Sequence, residues 1–247
     1  MQSDRDQWEQ SRDTYSFEFR YPKSKAGINI QGLRQTEEPT VILGVNGAGK
    51  STFLRAIAGD LRGVTGNAPA HGGSVYVSQN FIPVKGFSVL DYVSYIAWLQ
   101  DASRKSSTNN AQKWAEFVGL GGDLLSQECT KLSGGQQSKL QLATALNSDA
   151  ELLLLDEPSA ALDPLAKADL QDLYRDVVDE GIRLWVSSHQ PLEVAEPFTQ
   201  VIVIDQGELA FQGSRHQFLA LGADSAASTG QGVPSIVRRL ARVHNSG

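Results

Sequence analysis

The order of apolar and polar residues predicts a strand-rich beginning of the chain. Residues 14–21 alternate aromatic with polar side chains, which is the pattern of a half-buried strand. Shorter strands are predicted within 27–33 and 40–44. Residues 62–73 are rich in glycine and end in His-Gly-Gly, so they are predicted to turn before a further strand at 74–78.

Helical periodicity dominates the middle of the chain. Ser88 is placed to cap a helix. Apolar residues then follow at helical spacing, namely Val89, Leu90, Val93, Ile96 and Leu99. Residues 101–110 are polar and predicted to be a connector, and residues 111–118 favour another helix that ends at Gly119. Residues 80–147 are therefore predicted to form a largely helical insert.

Strands and helices alternate in the last part of the chain. Residues 151–155 read as a short apolar strand, as expected in a sheet covered on both faces. Asp163 and Pro164 are suited to open a helix, which Gly181 ends. Two strands and a hairpin turn are predicted at 182–187, 201–204 and 205–208. The alternation predicts an α/β fold with a mainly parallel sheet, a helical insert and an antiparallel β flank.

Composition indicates an ordinary globular protein. The chain has 247 residues, with 40% hydrophobic and 20% charged residues. The net charge of −6 and the lack of a long Lys/Arg run disfavour nucleic acid as a main partner. The single cysteine, Cys129, excludes an intrachain disulfide and fits a reducing compartment. No run approaches the roughly 20 apolar residues that cross a bilayer, so we expect a cytoplasmic protein.

The two ends of the chain differ from the rest. Residues 1–13 are polar and predicted to be a loose tail, and residues 14–222 are predicted to form one domain. The extension 223–247 contains a short amphipathic helix within 233–243, with three arginines near its apolar face. Two interpretations stay open: this helix packs on its own domain, or it lies near anionic lipid.

The most informative segment, 44–51, reads Gly-Val-Asn-Gly-Ala-Gly-Lys-Ser. It fits the G-x-x-x-x-G-K-[ST] pattern of a phosphate-binding loop, between an apolar strand and a helix. Glycines let backbone N–H groups point at anionic oxygens, and the helix N-terminus adds positive charge. Lys50 would supply a full charge, and the Ser51 hydroxyl can bind Mg²⁺. The alternative is a glycine-rich turn that happens to precede a helix.

Two carboxylates follow the apolar strand 152–155. Ligands of α/β sheets bind at the carboxyl ends of parallel strands. Asp156 is therefore placed to hold Mg²⁺, directly or through water, and Glu157 to polarise an attacking water. The alternative is a strand that ends in two solvated acids.

The segment 132–136 reads Leu-Ser-Gly-Gly-Gln and predicts a helix start. Ser133 is a good N-cap, and Gln136 completes a capping box. The glycines at 134 and 135 leave the amides of the first turn open to an anion. Locally, a plain helix cap also explains the segment.

In this order, the phosphate loop, the LSGGQ segment and the carboxylates resemble the ATP-binding cassette (ABC) ATPases, which drive ABC transporters. The resemblance covers about 15–213. It implies a P-loop NTPase fold of the RecA-like type. It also implies that ATP is bound by the loop and the residue after it, namely Asn46, Gly47, Ala48, Gly49, Lys50, Ser51 and Thr52.

The resemblance extends to three further segments. Gln79 resembles the family's Q-loop glutamine, which senses Mg²⁺ and the water and connects to the helical insert. Residues 159–163 resemble the D-loop, in which Asp163 would touch a partner subunit. His189 resembles the switch histidine that contacts the γ-phosphate.

Tyr21 resembles the aromatic residue that stacks on adenine, although Phe17 or Phe19 could take this role.

The sequence departs from the family pattern in two places. Val45 stands where proline is frequent, and residues 137–139 stand where many members carry arginines. Neither departure touches a residue that the resemblance makes catalytic.

The resemblance implies an Mg²⁺-dependent ATPase. The catalytic residues would be Lys50, Glu157 and His189, and the metal would be held by Ser51, Gln79 and Asp156. The signature residues would act on ATP held by another subunit, either a second copy or a paralogous ATPase: Ser133, Gly134, Gly135 and Gln136.

The function implied is that of an energy-coupling subunit on the inner face of the membrane, attached to separate permease subunits. Residues 81–99 look most like subunits paired with exporters of the ABC-2 kind. An importer subunit is the alternative within this class. A soluble ABC ATPase of the cluster-assembly type is a second alternative. Glu157 and His189 disfavour nucleotide sensing without turnover.

Overall fold

A computed structural model of the chain describes residues 14–69, 73–99, 104–190 and 194–221. The predicted tail 1–13 and the predicted helix within 233–243 lie outside these residues. The chain forms two compact units, one made of Met1–Gly72 with Trp185–Gly247 and the other of Gly73–Leu184. The prediction of one domain over 14–222 stays a prediction.

The first unit is built on a mixed sheet. Its strands are β1 (Thr14–Arg20), β2 (Gly27–Arg34), β3 (Thr40–Leu43), β4 (Thr65–Asn67), β8 (Gln200–Asp205) and β9 (Glu208–Ser214), with β7 (Arg183–Ser188) entering from Trp185 onward. Their order is β4-β1-β2-β9-β8-β3-β7. β3 pairs in parallel with β7 and β8, whereas β1 pairs antiparallel with β2 and β4. The predicted antiparallel flank beside parallel strands is confirmed.

One helix of this unit, α1 (Lys50–Ile57), packs through an aromatic stack. The ring of Phe53 lies 6.3 Å from that of Phe17 on β1 and 6.3 Å from that of Trp185 on β7, nearly parallel to both. All three side chains are at most 2% exposed, and each contributes about 1.5–3 kcal/mol of burial. The start of α1 is thereby fixed relative to the sheet.

The second unit contains strands and most of the helices. Its elements are β5 (Ser74–Val77), α2 (Val89–Leu99), α3 (Arg104–Phe117), α4 (Gly134–Leu146), β6 (Leu152–Asp156) and α5 (Pro164–Asp179), with 3₁₀ turns at Gly122–Ser126 and Cys129–Lys131. β5 and β6 pair in parallel, with Tyr76 opposite Leu154. All five residues of β6 are buried, as its apolar sequence predicts.

Two sequence predictions are wrong in detail. The stretch 62–73, predicted as a turn, contains β4, whose backbone pairs with β1. Its exposed sequence, Thr-Gly-Asn, does not predict a strand. Glycine is required at Gly66 because a Cβ there would lie 2.4 Å from the Ser16 carbonyl oxygen. The stretch 101–110, predicted as a connector, is helical from Arg104. Its polar sequence favours a loop. It nevertheless forms the beginning of a longer helix, whose buried residues Ala111 and Ala115 lie nearer the other end.

Other local predictions are confirmed by the structure. The hairpin turn between β8 and β9 has Gln206 at φ +47° and Gly207 at φ +83°, the two-residue turn that matches strand twist. Gly119 and Gly181 have φ near +80° at the ends of α3 and α5. Among the described residues, every helix is too short or too polar to span a bilayer.

Candidate functional site

The phosphate loop joins the buried end of β3 to the start of α1. Gly47 and Gly49 have φ of +80° and +106°, which side chains rarely adopt. Lys50 is 5% exposed, and its ammonium donates hydrogen bonds to the carbonyl oxygens of Gly44 (2.9 Å) and Val45 (3.2 Å). The loop therefore curls around a full positive charge at a helix N-terminus, which is what phosphate binding needs.

The loop is held in place by the β8–β9 turn. The N–H of Gly207 donates to the Ala48 carbonyl oxygen at 2.8 Å, and the N–H of Asn29 donates to the Gly207 carbonyl oxygen at 2.7 Å. A Cβ at Gly49 would lie 3.1 Å from Ile28 Cγ2 and 3.3 Å from Gly207 Cα. Glycine is thus required at Gly49 by close contact as well as by its backbone conformation.

Tyr21 lies beside the loop helix. Its hydroxyl shares a hydrogen bond of 3.2 Å with Thr52 Oγ1, and its ring meets Phe19 edge-on at 4.9 Å. Phe17 and Phe19 are 1% and 7% exposed, whereas Tyr21 is half-buried. Of the three aromatic residues considered for adenine stacking, Tyr21 is the one that reaches solvent.

His189 follows β7 directly and is half-buried. The preceding hydroxyl, Ser188 Oγ, accepts a hydrogen bond of 2.8 Å from the N–H of Gln190. This bond turns the chain immediately after the strand. His189 therefore stands at the carboxyl end of a parallel strand of the first unit, as the phosphate loop does after β3.

Asp156 ends β6 with its side chain buried, at 4% exposure. The Tyr76 hydroxyl, from β5, donates a hydrogen bond of 2.8 Å to Asp156 Oδ2. A buried carboxylate needs such donors to offset its loss of water. The sequence did not single out Tyr76, because its contact with Asp156 depends on the register between β5 and β6.

Glu157 adopts φ +47°, an uncommon conformation for a residue with a side chain. Its carbonyl oxygen accepts a hydrogen bond of 3.1 Å from the Ala160 N–H. The chain then reaches Asp163, whose Oδ1 accepts from the N–H groups of Leu165 and Ala166, both at 2.9 Å. Asp163 is thus the N-cap of α5, in addition to its predicted role toward a partner.

The signature segment has the predicted capping box. Gln136 N–H donates to Ser133 Oγ at 3.3 Å, and Ser133 N–H donates to Gln136 Oε1 at 2.9 Å. Ser133 and Gly134 are exposed. A Cβ at Gly135 would lie 3.3 Å from the Cβ of Ala166, so the small residue permits close packing on α5.

Two polar side chains of α4 connect it to neighbouring segments of the second unit. Ser138 Oγ donates to the Pro158 carbonyl oxygen at 3.0 Å, one residue after Glu157. Gln141 Nε2 donates to the Ser78 carbonyl oxygen at 3.0 Å, one residue before Gln79. The sequence did not predict these contacts, because nothing local distinguishes either residue from an ordinary helix surface.

Gln79 is exposed and lies beside a groove of about 220 Å³. The groove is lined by the end of β5, residues 80–82, and side chains of α2 and α4. Phe81 meets Tyr92 edge-on at 5.4 Å, and Ile82 is 80% exposed. The groove is therefore mixed in character, because polar residues such as Asn80 and Gln141 line it together with aromatic and aliphatic ones.

The shifted pKa values lie near the start of α2. Burial, with smaller contributions from Asp91 and Glu128, raises the pKa of Cys129 to about 11. Burial also raises the pKa of Tyr92 above its ordinary value. The hydrogen bond from the Gly86 N–H is the main cause that lowers the pKa of Glu128. Cys129 thus stays a neutral thiol, and it donates to the Ser88 carbonyl oxygen at 3.4 Å.

The predicted site residues divide between the two units. The loop, Tyr21 and His189 belong to the first unit, and Gln79, the signature, Asp156, Glu157 and Asp163 belong to the second. The predicted metal ligands offer hydroxyl, amide and carboxylate oxygens, which are the donors that Mg²⁺ prefers together with substrate phosphates. The donor chemistry therefore fits Mg²⁺.

Comparisons with known proteins agree with these motifs. A family model described as ABC transporter matches residues 29–160. The chain is 34% identical over 201 residues to the thiamine import ATP-binding protein ThiQ of Ruegeria sp., covering 74% of this chain and 84% of that protein. It is 32% identical over 207 residues to the sulfate/thiosulfate import ATP-binding protein CysA of Mycobacterium tuberculosis, covering 79% of this chain and 59% of that protein.

A third relative has a different described role. YbhF of Escherichia coli, named as a probable multidrug ABC transporter ATP-binding protein, is 30% identical over 187 residues, covering 70% of this chain and 32% of that protein. The chain thus spans only part of the length of YbhF and CysA.

Solved structures show the same fold. An inward-facing ABC transporter described as metal-chelate type aligns with a TM-score of 0.74 at 23% identity, over 89% of this chain and 90% of that chain. A dimeric ATP-binding cassette in a post-hydrolysis state, bound to ADP and Pi, aligns with a TM-score of 0.66 at 19% identity, over 82% and 97% of the two chains. From its motifs, its family match and its relatives, the chain belongs to the ABC transporter family, as an ATP-binding ATPase domain.

Proposed function

We propose that this chain binds MgATP and hydrolyses it to ADP and phosphate in order to drive a transporter. The observation that carries the proposal is the phosphate loop, in which the Lys50 ammonium lies against two loop carbonyl oxygens. The γ-phosphate would displace these carbonyl contacts and take the ammonium as its counter-charge. The loop amides and the N-terminus of α1 would bind the remaining phosphate oxygens.

Hydrolysis needs a positioned water as well as charge neutralisation. We assign the orientation of this water to Glu157 and the contact with the γ-phosphate to His189. Water attacks the γ-phosphorus, the bond to the β–γ bridging oxygen breaks, and a water proton passes to the carboxylate. When Mg²⁺ is bound, by Ser51, Gln79 and Asp156, it would neutralise charge on the phosphate oxygens.

The signature would act on ATP held by another subunit. Ser133 is exposed at a helix N-terminus, and a hydroxyl that accepts one hydrogen bond can still donate another. We infer that it donates to the γ-phosphate bound by a partner's phosphate loop, while the first amides of α4 face the same anion. Bound ATP would then stabilise the closed dimer, and hydrolysis would allow the dimer to open.

We assign the groove beside Gln79 to a permease subunit. Ile82 is 80% exposed at its rim, and Tyr92 and Phe81 line it. An amphipathic segment of a membrane partner would bury these residues. A movement of this segment would then be transmitted to the adjacent Gln79. Residues 81–99 resemble the ABC-2 exporter kind, so we propose export as the direction.

Import is the second candidate. It is favoured by ThiQ and CysA, whose names describe them as import ATP-binding proteins and which are 34% and 32% identical to this chain. The two directions differ in their companions: a solute-binding protein accompanies import, whereas a membrane chain without one accompanies export.

The proposal is tested by phosphate release from ATP by the full chain, with and without Mg²⁺. Wild-type protein should turn over ATP only with the metal, and Glu157→Gln should retain ATP binding while losing turnover. The partner is tested by co-purification of membrane proteins with the full chain from detergent-solubilised cells. Ile82→Asp should abolish co-purification, whereas Leu165→Asp, at a similarly exposed apolar position outside the groove, should not. Metal-independent turnover, or equal co-purification of both variants, would contradict the proposal.

A further inference from the structure

Tyr76 stands next to the residue assigned as a metal ligand. Its hydroxyl donates to Asp156 Oδ2 at 2.8 Å. Both residues belong to the same compact unit, on the parallel strands β5 and β6. The contact is therefore part of the packing within one unit.

The register of the two strands explains why the side chains meet. Tyr76 is opposite Leu154, and Asp156 lies two residues farther along β6. Residues two apart in a strand point to the same face. A tyrosine side chain is long enough to reach such a diagonal neighbour, whereas the flanking Val75 and Val77 point to the opposite face.

The hydrogen bond has two consequences for Asp156. Because the carboxylate is 4% exposed, a donor from Tyr76 offsets part of its lost hydration. The bond also selects one orientation of the carboxylate about its side-chain torsions. A carboxylate has about four lone-pair directions, and the Tyr76 hydroxyl occupies one of them.

We propose that Tyr76 is a positioning residue for Mg²⁺: its hydroxyl holds the Asp156 carboxylate in the orientation that ligates the metal of bound MgATP. This inference rests on the proposed function and names a residue that the sequence motifs do not contain. Partners of metal ligands in other proteins typically change metal affinity by 10–100-fold when removed.

The experiment measures metal affinity without requiring turnover. Free Mn²⁺ is followed by electron paramagnetic resonance as it is titrated into the full chain with ATP, at low temperature. Tyr76→Phe removes the hydroxyl and keeps the ring. It should raise the dissociation constant of Mn²⁺ about tenfold, while the affinity for ATP without metal stays that of the wild type.

The matched control is Tyr15→Phe, which removes a tyrosine hydroxyl bonded at 2.8 Å to the exposed side chain of Gln35. It should leave the affinity for Mn²⁺ unchanged. In an Asp156→Asn background, Tyr76→Phe should add almost nothing, since the group it orients has been changed. This double-mutant cycle separates positioning from a general loss of stability.

The outcomes distinguish this inference from the proposed function. Wild-type Mn²⁺ affinity in Tyr76→Phe, with Asp156→Asn weakened, would overturn the inference and leave the ATPase proposal standing. A full additional loss from Tyr76→Phe in the Asp156→Asn background would also overturn it. Failure of the wild-type chain to bind ATP at all would instead overturn the proposed function.

Discussion

Two helix starts in this chain look alike in sequence and differ in structure. Both α1 and α4 begin within glycine-rich segments that end in a polar residue. At α1 the N-cap is Gly49, which has no side chain to offer, and the Lys50 ammonium lies under the loop. At α4 the N-cap is Ser133, which closes a complete capping box with Gln136.

The difference indicates different tasks. The first-turn amides of α1 have no cap side chain competing for them, and a cation is already in place, so this start can bind a phosphate by itself. At the start of α4, the Ser133 side chain already accepts from the Gln136 N–H, and the first turn contains no cationic residue. It is suited to add a contact to an anion whose charge is neutralised elsewhere, which fits an action on ATP held by another subunit.

The largest expected effect concerns the phosphate loop at the start of α1. Lys50→Ala removes the positive charge from this loop, so turnover should fall about a hundredfold or more, and ATP affinity should fall with it. Phosphate release and calorimetric ATP titration measure the two effects. Lys25→Ala, at an exposed position, is the control and should behave as wild type. Wild-type turnover in Lys50→Ala would refute the site assignment.

The second prediction separates capping from phosphate contact at Ser133. Ser133→Ala loses both roles and should cost about 1 kcal/mol of stability. Ser133→Asp retains a good N-cap but places a negative charge toward the phosphate. Turnover should therefore fall in both variants, while unfolding by urea should be affected only in Ser133→Ala. Full turnover in Ser133→Asp would mean that the residue serves only its own helix.

The third prediction compares two glycines of the loop. Gly49→Ala meets Ile28 and Gly207 closely, whereas a Cβ at Gly47 has open space, and both residues have positive φ. Gly47→Ala should cost about 1–2 kcal/mol for its backbone conformation alone, and Gly49→Ala should cost more than that. Urea unfolding measures both. Equal losses of unfolding free energy in the two variants would show that the loop can shift to accommodate a Cβ at Gly49.

The smallest expected effect concerns the support of α4. Ser138→Ala removes the hydrogen bond to the Pro158 carbonyl oxygen, a change of about 1 kcal/mol. Turnover should fall several-fold because the bond adjoins Glu157, with ATP affinity unchanged. Thr144→Val is the control, since its hydroxyl bonds within the helix, to the Leu140 carbonyl oxygen. Equal turnover in the two variants would show that the hydrogen bond from Ser138 to the Pro158 carbonyl oxygen does not support turnover.

Sequence reasoning reached the elements whose signals are local. The capping box at Ser133, the cap at Asp163 and the turn at Gln206 and Gly207 each follow from a few adjacent residues, and the structure contains them. The mixed α/β fold followed from the alternation of strands and helices. These features depend on short-range chemistry that a sequence displays directly.

What the sequence could not provide depends on register and distant neighbours. The contact between Tyr76 and Asp156 requires knowing which residues of β5 and β6 face each other. β4 is a strand because its backbone pairs with β1, although its own residues are poor strand formers. The link from Ser138 to the residue after Glu157 likewise joins segments that are far apart in sequence.

The central claim is the proposal that the signature segment of one subunit acts on ATP held by the phosphate loop of another. The most direct measurement is the sedimentation or sizing of Glu157→Gln, in which bound ATP should persist. With Mg²⁺ and ATP this variant should shift from monomer to dimer, and adding Ser133→Asp should abolish the shift. A Glu157→Gln protein that binds ATP yet stays monomeric at high concentration, or a dimer that survives Ser133→Asp, would contradict the account.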